Sequence, residues 1–119
     1  MNVLYIHQNY PAQFGHIAAN LVKNRGWKCT FLSQLPPAND QGVDRIQYVL
    51  AGGAIKQTHF CSRTFENAVW HTDAVYQALK KRPDVQPDLI VGHSGFGSTL
   101  FLRDLYPHTP IINLFEYFY

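Results

Sequence analysis

The stretch "VLYIHQNYPAQFGHIAANLVKNRG", residues 3–26, decides the fold class. Residues 3–6 are apolar without a break, as in a strand covered on both faces. Phe14, Ile17, Ala18, Leu21 and Val22 then recur at helical spacing. Pro11 suits a first helical turn, and Gly26 suits the position just past the last. A covered strand followed at once by an amphipathic helix over 11–25 is the opening unit of a parallel α/β sheet.

The pattern continues outward. Residues 27–33 return to strand character with Cys29, Phe31 and Leu32, and "QLPPANDQG" (34–42) reads as a loop. Residues 44–50 alternate polar and apolar, which suggests a third, less buried strand. "AGGAIKQTHF" (51–60) is a connection without periodic signal. Residues 62–82 carry the longest helical pattern, with Phe65, Ala68, Val69, Thr72, Val75, Tyr76 and Leu79 on one face and Pro83 and Pro87 bounding its end. Residues 89–91 read as a fourth strand and 95–106 as a third helix with Leu100, Phe101 and Leu105 inward. Residues 111–115 read as a fifth strand. The expectation is a Rossmann-like three-layer α/β/α domain with a mostly parallel five-stranded sheet, order 3-2-1-4-5.

Composition agrees with one globular domain. The 119 residues are 46% hydrophobic and 15% charged, enough apolar surface to offset the entropy of ordering. A net charge of +2 is too small to indicate a nucleic-acid partner, and the triplet Lys80-Lys81-Arg82 suits the negative end of a helix. Cys29 and Cys61 form neither a disulfide framework nor a CxxC motif, and they read as reduced cysteines of a cytoplasmic protein. No stretch reaches the roughly 18 apolar residues of a membrane span, and "MNVLYIH" lacks the basic start of a signal peptide.

In such a sheet the order reverses between strands 1 and 4, and ligands bind in the crevice beyond the carboxyl ends of the strands there. Two segments fall at that point, 7–11 ("HQNYP") and 92–98 ("GHSGFGS"), and the fifth strand delivers "FEYFY" (115–119) to the same edge. The second segment superficially resembles a hydrolase nucleophile elbow. The required Gly-x-Ser-x-Gly spacing fails, because Phe96 stands where the second glycine belongs. No acid and histidine follow Ser94 at suitable places. An anion or sugar site fits better: Ser94 can cap a helix, and Gly95 and Gly97 leave backbone N–H groups open at its positive end. A plain cap with glycines for close packing reads equally well. The first loop has no GxGxxG, so a dinucleotide fingerprint is absent. It offers Gln8, Asn9 and Gln13, amides that bond hydroxyls without demanding charge, or simply a polar turn. His7, His93 and Glu116 sit at the ends of strands that should be adjacent. As single residues on separate strands they are a weak basis for a metal site, so hydrogen-bonding or acid–base roles at a sugar site are the stronger expectation. A stand-alone flavodoxin-like domain binding a small anion is the alternative.

"VLYIHQNYPAQFGHIAANL" and "PDLIVGHSGFGSTLFLRDLYPHTPIINLFEYFY", at their spacing, resemble the N-terminal domain of family-4 glycosyltransferases. They resemble in particular the group that opens "IHQNFPGQF", continues "PDLIxxHxGWGExLFLKDxxP" and ends the next strand with "FExYY". The resemblance implies one half of a GT-B fold, with a second domain holding the nucleotide-sugar donor and this one holding a sugar or glycolipid acceptor. It implies hexosyl transfer with retention, as in polysaccharide biosynthesis, with no metal or cofactor besides the nucleotide sugar and no activity from this domain alone. By motif, His7, Gln8, Asn9, Tyr10, Gln13 and Phe14 would line the cleft, and Ser94, Gly95, Phe96 and Gly97 would face the acceptor. His93 and Glu116 would carry catalytic roles, although Glu116 stands where many relatives have histidine. Asn9-Tyr10-Pro11 replaces the paired glycines common in that loop. Peripheral membrane contact stays open, as does self-association through Phe115, Tyr117, Phe118 and Tyr119.

Overall fold

The computed structural model describes residues 1–93 and 98–116. The elements run β1 (Asn2–Ile6), α1 (Gly15–Arg25), β2 (Lys28–Ser33), β3 (Ala38–Asp40), β4 (Val43–Gln47), a 3-10 turn (Phe60–Ser62), α2 (Arg63–Lys80), β5 (Leu89–His93), α3 (Leu102–Leu105) and β6 (Ile111–Leu114). They form one six-stranded sheet in the order β3-β4-β2-β1-β5-β6. All pairings are parallel except β3 with β4. The fold is a Rossmann-like α/β domain.

The five expected strands keep their mutual order, with β4, β5 and β6 as the third, fourth and fifth. The sixth is β3, inside the stretch that reads as a loop. It exists because Gln41 and Gly42 both take positive φ, 52° and 84°, and fold the chain back in a two-residue hairpin. Asp40 then faces Val43, and Asn39 Oδ1 accepts the Gly42 N–H at 3.2 Å.

Alternation along the strands builds two cores. Val3 and Tyr5 of β1 pack with Cys29, Phe31, Val43, Phe14 and Ala18 under α1. Leu4 and Ile6 face the other way, with Leu32, Ile46, Val75, Leu79, Ile90 and Leu102 under α2 and α3. The three-layer expectation holds.

Three helical expectations are corrected. α1 starts at Gly15, not at 11, because Ala12 sits at φ 48° and residues 11–14 turn rather than wind. Of the third helix expected over 95–106, residues 95–97 lie outside the described residues, 98–101 form turns and only Leu102–Leu105 is helical, with Leu100 exposed. Phe101 N–H donates instead to the Thr72 hydroxyl of α2, at 3.0 Å, so a tertiary partner takes a donor that a longer helix would use. Phe65, expected on the inner face of α2, is 65% exposed. An 18-residue helix is about 27 Å long and outruns strands of about 17 Å, so its first turns stand beyond the sheet. Among the described residues no helix is long and apolar enough to cross a membrane.

Candidate functional site

The site forms where the sheet order reverses, between β1 and β5. Ile6 pairs with Gly92, so the next residue on each strand is a histidine at the carboxyl edge. The His7 and His93 rings lie edge to face, centroids 5.3 Å apart, at 8% and 3% exposure. Burial, and after it the neighbouring His93, hold the His7 pKa below its ordinary value, with Glu116 opposing. The Asn9 N–H donates to His7 Nδ1 at 3.0 Å, so the neutral ring carries its proton on Nε2.

The loop after β1 is laid over this pair. Gln8 accepts the Gln34 N–H through its carbonyl at 3.1 Å, which ties the loop to the end of β2. The Tyr10–Pro11 peptide is cis. Gly15 N–H donates to the Pro11 carbonyl at 2.7 Å, and a Cβ on Gly15 would collide with the Pro11 side chain. Phe14 is buried and meets the His7 ring edge-on at 6.2 Å. Gln13 reaches across the cleft and donates from Nε2 to Glu116 Oε1 at 2.7 Å.

Glu116 closes the arrangement. Its second oxygen stands 3.2 Å from His93 Nε2, and its side chain is 38% exposed. One carboxylate, delivered beyond β6, therefore contacts both the first loop and the end of β5. The result is a rim of an amide and a carboxylate over two buried imidazoles, chemistry that suits hydrogen bonds to hydroxyl groups. Among the described residues no three His, Cys, Asp or Glu side chains are grouped to hold a metal ion.

Of the residues singled out in the sequence, His7, His93, Glu116, Gln13 and Phe14 are brought together. Gln8 and Asn9 act through backbone groups at the margin. Tyr10 turns the other way, its ring edge-on to Phe31 at 4.8 Å and under the Arg45 guanidinium. Ser94, Gly95, Phe96 and Gly97 lie outside the described residues, as do Tyr117, Phe118 and Tyr119. Sequence reasoning passed over Asn113 and Thr99. The Thr99 hydroxyl donates to Asn113 Oδ1 at 3.0 Å, and together they cover Gly92, where a Cβ would strike the Thr99 methyl. The available signal was a polar residue inside the apolar run "IINL".

The model of the glycosyl transferase family 4 group matches residues 25–119, which include His93 and Glu116 and exclude the loop after β1. No curated protein matches the sequence. The match covers most of the chain, which therefore belongs to the glycosyl transferase family 4 group.

Proposed function

We propose that this family-4 domain is the acceptor-binding half of a retaining, nucleotide-sugar-dependent hexosyltransferase of GT-B architecture. A second domain would hold the donor, and the acceptor would be a carbohydrate or glycolipid built up at the cytoplasmic side for polysaccharide biosynthesis. The supporting observation is the Gln13–Glu116–His93 bridge over the buried His7 ring, set at the sheet's reversal point. Such a rim suits sugar hydroxyls. Glu116 has an exposed carboxylate to accept from them, and Gln13 brings an amide to the same edge.

The chemistry expected of these residues is positioning and proton management. His93 and Glu116 would orient an acceptor hydroxyl, and Glu116 or an imidazole would take the proton released as that oxygen bonds to the donor's anomeric carbon and the nucleoside diphosphate departs with the electron pair of the broken C–O bond. The open rim alone excludes little water, so transfer would require the facing domain to close over it.

The test is acceptor-saturation kinetics on the intact enzyme with His93→Ala and Glu116→Gln. The expected outcome is a loss of about 100-fold in kcat/KM for the acceptor, typical of a lost proton-handling group, with the donor KM within twofold of wild type. A change confined to the donor KM would overturn the acceptor assignment. The anomeric configuration of the product, read by NMR, tests retention separately.

A further inference from the structure

A row of rings crosses the α1 face of the sheet and runs under the whole first loop. It begins at Arg45 of β4, which is in register with Phe31 of β2, so both side chains point toward α1. The Arg45 guanidinium carbon lies 4.2 Å from the Tyr10 ring centroid. Tyr10 meets Phe31 at 4.8 Å, Phe31 stacks on Tyr5 at 6.1 Å, and Tyr5 meets Phe14 at 5.9 Å. Phe14 in turn abuts His7 at 6.2 Å. Tyr10 and Phe14, near the two ends of the loop, are both members of this row.

Arg45 is an unusual residue to find there. Its Nε is buried with no hydrogen-bond partner among the described residues, and its Nη2 reaches only the Pro36 carbonyl at 3.4 Å. Few hydrogen bonds therefore hold the guanidinium. What remains is the face of Tyr10, whose hydroxyl in turn interacts with the Asp40 carboxylate. A planar, weakly hydrated cation is suited to that place, and a compact, strongly hydrated ammonium is not.

We propose that Arg45 is a positioning residue: stacked on Tyr10, it fixes the shape of the loop at 8–14, and so the placement of Asn9 on His7 and of Gln13 on Glu116. The proposal deepens the reading that this loop lines an acceptor cleft, and it rests on that reading for its effect on transfer. The β3–β4 hairpin, remote from the imidazole pair, thereby belongs to the machinery of the site.

The experiment combines amide hydrogen exchange with acceptor kinetics on the intact protein carrying Arg45→Met, Arg45→Lys, Tyr10→Phe or Tyr10→Leu. Arg45→Met is expected to speed exchange at Asn9 and Gly15 about five- to tenfold, the equilibrium weight of one stacked cation, while the β1 and β2 amides stay unchanged. Acceptor kcat/KM should fall by a similar factor with the donor KM unaltered. Tyr10→Phe, which keeps the ring and loses only the hydroxyl's interaction with Asp40, should speed loop exchange less than Arg45→Met, and Arg45→Lys should recover only part of the loss. Wild-type exchange at Asn9 and Gly15 in Arg45→Met overturns the proposal. So does uniform acceleration across the sheet, which marks a merely structural role. If Arg45→Met fails to fold, Tyr10→Leu removes the same contact from the loop side and is read by the same criteria. Faster loop exchange with unchanged transfer upholds the role of Arg45 and defeats the loop's role in acceptor binding.

Discussion

The two faces of the sheet are cut from the same strands and do different work. The α2 face is mainly aliphatic: Leu4, Ile6, Leu32, Ile46 and Ile90 interlock with Val75, Leu79 and Leu102, and Tyr48 and Tyr106 complete the cluster. The α1 face is aromatic where it nears the carboxyl edge, with Tyr5, Phe14 and Phe31 in its core and Tyr10 against it. Branched aliphatic side chains fill space near their own backbone and contribute burial alone. Rings reach farther and contact one another in preferred orientations, so the aromatic face carries order from the middle of the sheet to the loop above it. The comparison teaches that two buried faces of one sheet can differ in functional reach.

The largest test of that contrast is Leu32→Ala, which opens a cavity on the aliphatic face. Leu32 is fully buried, and the substitution should cost about 3 kcal/mol in denaturant unfolding, while the loop exchange pattern of the folded protein stays as in wild type. Gly92→Ala comes next. The new Cβ would displace Thr99 and press on Asn113 Oδ1, 3.1 Å away, at an expected cost of about 2 kcal/mol in the same measurement. On the aromatic face, a double-mutant cycle of Phe31→Leu with Tyr10→Leu should give a coupling of about 1 kcal/mol. A cycle of Phe31→Leu with Leu32→Ala should show none, since the two side chains point to opposite faces.

The smallest effect separates the faces by pH. Burial lowers the pKa of His7 on one side and of His71 on the other, where His71 Nδ1 shares a 3.0 Å hydrogen bond with the Tyr48 hydroxyl. With folded values below the unfolded value of about 6.5, the unfolded chain binds more protons under that pH. The stability these residues contribute is therefore complete above pH 6.5 and is lost as pH falls through their folded values. Urea midpoints should decline from pH 7 to pH 5, and His7→Asn and His71→Asn should each flatten part of that decline.

Much of the fold was legible because apolar runs and helical spacing survive any context. Val3 to Ile6 had to be a covered strand, and chirality then ordered its neighbours. β3 was hidden because its three residues, Ala-Asn-Asp, carry no apolar signal and depend on the turn that follows. The third helix was overread because spacing at Leu100, Phe101 and Leu105 cannot reveal that Thr72 competes for the Phe101 N–H. In the site, strand order alone brought His7, His93 and Glu116 to one edge. The Gln13 contact and the outward turn of Tyr10 depend on loop conformation, with Ala12 at φ 48°, which no local pattern announces.

The two-residue turn at Gln41 and Gly42 has a consequence for how this corner can vary. Side chains on a strand alternate faces, so one residue inserted there would shift the register of β3 against β4 and swing Asp40 away from Tyr10 to the opposite side of the sheet. A side chain added at Gly42 would strike Val22 of α1, whereas a change of length is felt at the cleft. Here the number of residues is itself part of the specification.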